Sequence, residues 1–353
     1  MKKLLLGAAA AVMALAACHN NPQDSNKYSI TQDFSDSIWN GKTAYIYTID
    51  NNILMDSAVV ENQQVKFVGQ ADSTMLCRVM IDNRRIAQVV LEPGNIHIAD
   101  SIFPMPTGTP LNDAYTTLES EIREFLKARR KFFTENQATE EAMDSIDRHF
   151  STMFTTAFKK HSNDPVGQYM LMSTWAAYAE DSVKAEALKE VGEWLQQTAA
   201  AQRMVKLIEG KMNTAKGKMF TDVEGQDEKG NPISLSAFAG KGKYVLVDMW
   251  ASWCGPCRME IPNIARLYNQ YKKKGLQVVG IFVWDKTENL VPSMKNEGVT
   301  WPQIIDNNNV ATNLYGVEGI PHIMLIGPDG TIIKRGLRGQ DMIDFIDQIM
   351  NKK

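Results

Sequence analysis

Val247-Asp248-Met249-Trp250-Ala251-Ser252-Trp253-Cys254-Gly255-Pro256-Cys257-Arg258-Met259 joins an apolar run to a pair of closely spaced thiols. Upstream the run continues as Tyr244-Val245-Leu246, the composition of a central strand covered on both faces. Downstream, residues 257–273 carry the spacing of an amphipathic helix. Two thiols three positions apart can close into a disulfide and reopen with little backbone movement. If the pair opens a helix, Cys254 meets the positive end of the helix dipole, which favours its thiolate. The thiolate is the species that attacks disulfides. Thiol–disulfide exchange is therefore the leading chemistry.

Around this segment, residues 214–353 read as α/β. A second buried strand is expected at 276–284, a helix at 287–297, a hairpin at 322–326 and 331–335 through Gly327-Pro328-Asp329-Gly330, and a final helix at 341–350. Residues 28–103 alternate as antiparallel strands at 43–49, 57–60, 64–68, 74–81, 86–91 and 95–99, with Glu61-Asn62-Gln63 as a hairpin turn. A β-sandwich or small barrel fits that spacing. Residues 104–213 are helical, with Thr139 as a cap, a helix start at Asp164-Pro165 and another at Asp181-Ser182. Phe132, Phe133, Phe150, Phe154, Phe158, Trp175 and Trp194 read as helix-bundle core rather than a ligand pocket. The fold class is thus multidomain: an antiparallel β domain, a helical region and an α/β domain.

The chain has 353 residues, 44% apolar and 22% charged, with a net charge of −3. No basic field is present, so nucleic acid is not an expected partner. Residues 1–18 stand apart. Lys2 and Lys3 precede an apolar stretch ending in Leu15-Ala16-Ala17-Cys18, which resembles a bacterial lipobox whose cysteine becomes the lipidated first residue of the mature protein. An ordinary secretory signal is the alternative. Residues 19–27 form a polar tether. That resemblance implies a lipid-anchored, periplasm-facing envelope protein. Of the 4 cysteines, Cys77 lies in an apolar run and reads as a buried free thiol. A chain of an oxidising compartment with so few cysteines uses its CxxC for chemistry rather than as a staple.

The strand–helix segment resembles the active site of thioredoxin, and Tyr315-Gly316-Val317-Glu318-Gly319-Ile320-Pro321 resembles its second signature. The longer stretch between them fits the helix–strand insertion of the TlpA/ResA-like envelope branch, here around residues 285–305. Residues 54–60 and 89–96 are similar to a small β domain of uncharacterised function that precedes thioredoxin-like domains in Bacteroidetes lipoproteins. The resemblance implies Cys254 as an exposed nucleophile and Cys257 as a buried resolving thiol. It implies Asp248 as general base, because a carboxylate inside an apolar strand is costly without a task. A hydrogen-bonded structural Asp is the alternative. Pro321 falls where the family has a cis-proline, which would set the Ile320 backbone against the CxxC for extended substrates. Trp253 and Trp250 would shield the sulfurs and supply an apolar docking rim, with a plain core role as the alternative for Trp250. Pro262 takes the place of the helix-kinking proline. Glu260 departs from thioredoxin and matches Cys-x-x-Cys-x-x-Glu-x-Pro of ResA-like reductases, where that residue tunes the cysteines. His322 is a candidate for substrate contact or for tuning near neutral pH, or else a strand histidine without function.

Functionally, the resemblance implies a thiol–disulfide oxidoreductase acting on disulfide-bearing exported proteins. The Gly-Pro dipeptide favours a reductant, since thioredoxin sits near −270 mV and the oxidant DsbA near −120 mV. A reductant there implies a membrane electron donor of the DsbD/CcdA type. Cytochrome maturation, disulfide isomerisation and oxidation stay open as directions. A peroxidase is disfavoured, because Ala251 stands where peroxiredoxins have Thr or Ser. A metal-binding module is disfavoured because two cysteines make half a zinc site. No cofactor is implied, and no heptad pattern speaks to oligomeric state.

Overall fold

In the computed structural model, residues 26–135, 139–306 and 308–352 are described, and the expected lipobox with Cys18 lies outside them. Contacts divide the chain after Tyr178 into two units. Among the described residues no helix is long and apolar enough to cross a membrane.

The N-terminal unit contains β1 (Lys27–Asp33), β2 (Thr43–Thr48), β3 (Leu54–Val59), β4 (Gln64–Gln70), β5 (Met75–Ile81), β6 (Arg84–Leu91), β7 (Gly94–Ile98) and β8 (Pro106–Thr107). They form two four-stranded sheets, ordered β4-β1-β7-β8 and β3-β2-β5-β6. Alternate side chains point to opposite faces of a strand. Ile30, Val65, Phe67 and Ile96 of the first sheet thereby share a core with Ala44, Ile46, Val79 and Ile81 of the second. Two expectations need correction. The sandwich is not purely antiparallel, because β1 pairs with β7 in parallel. Asn62 and Gln63 do form a tight turn, both with positive φ and with Glu61 bonded to Gln64, but β3 and β4 on its two sides belong to different sheets. Cys77 is a buried free thiol in this core, and burial pushes its pKa up to about 12.

The same unit continues with α1 (Pro110–Glu135), α2 (Glu140–Lys160), α3 (Pro165–Leu171) and α4 (Thr174–Tyr178). Thr139 Oγ1 caps α2 through the Ala142 amide, and Asp164 caps α3. Phe150, Phe154, Phe158 and Trp175 are buried, with Phe158 stacked on Trp175 at 4.4 Å. Phe133 departs from the expected core and stays 62% exposed.

The C-terminal unit opens with α5 (Asp181–Lys189), the short α6 (Glu193–Gln196) and α7 (Ala199–Asn213). It then builds β9 (Glu224–Gln226), β10 (Pro232–Ser234), β11 (Tyr244–Trp250), α8 (Gly255–Tyr271), β12 (Leu276–Phe282), α9 (Leu290–Glu297), β13 (Gln303–Ile305), α10 (Val310–Leu314), β14 (His322–Ile326), β15 (Ile332–Arg335) and α11 (Gly339–Asn351). The strands make one seven-stranded sheet, ordered β10-β9-β13-β12-β11-β14-β15. β11 is central, parallel to β12 and antiparallel to β14. Its two faces have separate cores. Leu246 and Trp250 pack with Ile261 and Ile264 of α8 and Met342 and Ile346 of α11. Val245, Val247 and Met249 pack with Ala311 and Tyr315 on the other side. The expected insertion is α9 and β13. α7 approaches α10 so closely that a Cβ on Gly210 would lie 2.3 Å from the Asn313 carbonyl oxygen, which leaves room only for glycine.

Candidate active site

β11 delivers the chain directly to the thiols. Cys254 is the N-cap of α8, and its Sγ accepts a hydrogen bond from the Cys257 amide at 3.2 Å. Pro256 fits the first turn of the helix, where its missing N–H costs nothing. Cys254 and Cys257 are joined as a disulfide with their Cα atoms 5.3 Å apart. Cys257 is fully buried, as expected. Cys254 is not the exposed thiol the sequence suggested: it is 3% exposed in this oxidised form. The disulfide draws its sulfur onto Cys257 inside the first helical turn, and the exposed position passes to Trp253, at 62%. The Trp253 indole is held outward by donating to the Trp284 carbonyl at 2.9 Å. Trp284 itself has φ 55°, a left-handed conformation rare for a bulky residue. The Ser252 amide and hydroxyl both donate to Asp285, which ties the arm carrying Trp253 to the end of β12. A cleft of about 360 Å³ lined by Trp284, Asp285, Lys286, Asn289, Asp306 and Asn309 adjoins this arm. Trp250 belongs to the core, in the buried cluster that includes both cysteines, with its indole donating to Gln303 Oε1 at 2.8 Å.

Asp248 shares its face of β11 with Leu246 and Trp250, the face on which Cys257 and Ile261 pack. It is 1% exposed, and its Oδ1 has no hydrogen-bond partner. Burial, and secondarily the negative charge of Glu260, push its pKa up to about 7. Glu260 has a second attachment. Both of its oxygens accept from the Gly339 amide at 3.0 Å, so it caps α11 from another helix.

The Ile320–Pro321 peptide bond is cis. Ile320 is half-buried against the core that includes both cysteines. His322, directly after it, goes elsewhere. It pairs with Met249 and shares strand parity with Met324 and Ile326, which puts it on the face opposite Asp248. Its Nε2 accepts from Arg335 at 3.2 Å and 3.3 Å. Burial, followed by the charges of Arg335, Arg338 and Lys211, pushes its pKa down to about 4. The structure therefore separates His322 from the sulfurs by the thickness of the sheet.

Three partners were missed from sequence because each is distant along the chain. Arg335 bonds His322, the Thr214 carbonyl and hydroxyl, and the Tyr315 carbonyl. Arg338 donates to the Pro321 carbonyl at 2.7 Å. Lys211 of α7 pairs with Glu318. No short motif marks any of them.

Residues 216–335 match the AhpC/TSA family model, and residues 28–115 match a domain of unknown function, DUF4369. Thiol-disulfide oxidoreductase ResA of Bacillus subtilis is 31% identical over 143 residues, covering 40% of this chain and 79% of that protein. Its namesake from Bacillus thuringiensis is 32% identical over 127 residues, covering 36% and 71%. A crystal structure of the thioredoxin domain of a Bacteroides vulgatus thiol-disulfide oxidoreductase is 34% identical, covering 39% of this chain and 99% of that one, with a TM-score of 0.37.

Proposed function

The chain belongs to the thiol–disulfide oxidoreductases of the ResA kind, and on that premise we propose that it reduces disulfides in exported proteins, with Cys254 as nucleophile and Cys257 as resolving thiol. The Cys254 thiolate attacks one sulfur of the substrate disulfide. A Cys254–substrate mixed disulfide forms, and the other substrate sulfur leaves as a thiolate. Asp248 takes the Cys257 proton, and the Cys257 sulfur displaces the substrate from Cys254. Two electrons have then passed to the substrate, and the enzyme holds the Cys254–Cys257 disulfide. Asp248 carries this reading: a buried carboxyl with a free oxygen, pushed up to about 7, both accepts and releases a proton near neutrality.

Ile320, Pro321 and Trp253 form the docking rim for an extended substrate segment. Glu260 tunes the site through its charge on Asp248. The Gly-Pro dipeptide supports the reducing direction, and re-reduction falls to a membrane electron donor of the DsbD/CcdA type. Lipidation at Cys18 would hold the enzyme on the periplasmic side of the envelope. Two measurements test the reading. Titration against glutathione should give a potential well below about −200 mV, and a higher value would sink the reductant assignment. The Cys257→Ser variant should trap exported proteins on Cys254 as mixed disulfides; recovery of no adduct during turnover would remove Cys254 as nucleophile.

A further inference from the structure

The edge of β14 is not completed by backbone where it reaches the docking rim. β15 pairs with β14 as far as Met324 and Arg335, and the Leu337 amide then donates to the Ile323 carbonyl at 3.0 Å. Beyond that the chain leaves the sheet: Gly336 and Gly339 have φ of 70° and 52°, and α11 begins. The next carbonyl on that edge is Pro321, which a neighbouring strand would ordinarily satisfy. Its partner is the Arg338 guanidinium at 2.7 Å. Arg338 is also the N-cap residue of α11, but a guanidinium has no acceptor with which to cap, and Glu260 takes the Gly339 amide instead. The long side chain is thereby free to stand in for the missing strand, and its base is fixed through Glu260.

We propose that Arg338 is a positioning residue for protein substrates: its hydrogen bond to the Pro321 carbonyl fixes the Ile320–Pro321 backbone on which an extended substrate segment docks. This rests on the reading that Ile320 and Pro321 bind substrate. The Arg338 guanidinium bonds the Pro321 carbonyl and neither sulfur nor the Asp248 carboxyl, so it acts on docking and not on electron transfer. A small disulfide that reaches Cys254 without pairing with the Ile320 backbone gains nothing from it.

The test compares Arg338→Met and Arg338→Lys with the parent on two substrates, oxidised insulin and oxidised glutathione. Reduction potential and thermal midpoint are measured alongside. Arg338→Met should raise KM for insulin about tenfold, equivalent to roughly 1.4 kcal/mol and close to the lower end of the range for a charged hydrogen bond. kcat, the potential and turnover of oxidised glutathione should stay unchanged, and Arg338→Lys should recover part of the loss. In parallel, a peptide is trapped on Cys254 in the Cys257→Ser background and amide exchange is followed at Ile320. Protection there tests the docking reading itself. Its absence would overturn that reading and this proposal with it. Protection in the parent combined with an unchanged insulin KM in Arg338→Met would overturn this proposal alone. Equal losses on both substrates would do the same, since they would mark a general structural role.

Discussion

The two faces of the seven-stranded sheet each hold a titratable side chain shielded from water, fully at Asp248 and partly at His322, one strand apart, and treat it in opposite ways. On the α8 face, Asp248 is buried with one oxygen unpartnered and only a like charge, Glu260, to influence it. On the other face, the His322 ring nitrogen is held by Arg335, which also binds Thr214 and Tyr315. Both groups are pushed toward their neutral forms, Asp248 up to about 7 and His322 down to about 4. The difference lies in what happens at neutral pH. Asp248 sits at its titration point, so it can exchange a proton. Neutral pH lies far above the titration point of His322, so the ring stays neutral and serves as a fixed hydrogen-bond acceptor for Arg335, which also bonds the Tyr315 carbonyl. A perturbed pKa alone therefore does not mark a working group; the free oxygen is what recommends Asp248 as the proposed base.

The largest effect should come from emptying the α8 face of its proposed base. Asp248→Asn should lower turnover of protein disulfides by about a hundredfold or more, the usual contribution of general base catalysis. In the parent, turnover should climb with pH through about 7 as the carboxyl ionises. In the variant that limb should vanish. A variant that keeps both the limb and the rate would reduce Asp248 to a structural residue and erase the contrast between the faces.

Next in size is the dependence of stability on pH, where the two groups oppose each other. Asp248 has an ordinary value of 3.8 and is raised to about 7 in the fold. Between those values the unfolded chain has released the proton and the folded one keeps it, so stability falls as pH rises, by on the order of 4 kcal/mol in total. His322 has an ordinary value of 6.5 and is lowered to about 4. Its contribution is complete above 6.5 and is lost as pH falls toward 4, by on the order of 2 kcal/mol once its partial exposure is allowed for. The two slopes partly cancel over the same window. Thermal midpoints of the oxidised protein between pH 4 and 7 should therefore rise with pH in Asp248→Asn and fall more steeply than the parent in His322→Gln. Glutamine retains an acceptor for Arg335, so turnover of His322→Gln should match the parent. Identical slopes in both variants would show that neither group is linked to folding as argued.

How far each face could be read in advance follows from where its information lies. Cys254, Cys257, Asp248 and Pro262 fall on one continuous strand–helix segment, and a carboxylate within an apolar run is conspicuous. The identity of Ile320-Pro321 was likewise visible from its signature. His322 was not assignable to a face, because β14 is buried on both sides and shows no alternation to read. Arg335 and Arg338 were silent for a different reason. Their partners lie at Thr214, Tyr315, His322 and Pro321, as far as 121 positions away, and an arginine at a strand end or at the start of a helix looks like any solvated charge. In the N-terminal unit the alternating strands were legible, but the parallel pairing of β1 with β7 depends on a return of the chain that no local pattern encodes.

The smallest predicted effect separates the two influences on Asp248. Glu260→Gln removes the negative charge while leaving an amide oxygen able to accept from the Gly339 amide. Without that charge the Asp248 carboxyl should ionise more easily, so the rising limb of the pH–rate profile should move to lower pH while maximal turnover holds. Burial is the larger cause of the Asp248 shift, so most of it should survive the substitution. The cap on α11 weakens only from carboxylate to amide, a loss of about 0.5–1 kcal/mol that a thermal midpoint would register. A limb that stays in place would assign the whole shift to desolvation and leave Glu260 as a cap alone. A limb that moves would make Glu260 the one side chain that both sets the proton affinity of the working face and anchors the helix from which Arg338 reaches Pro321.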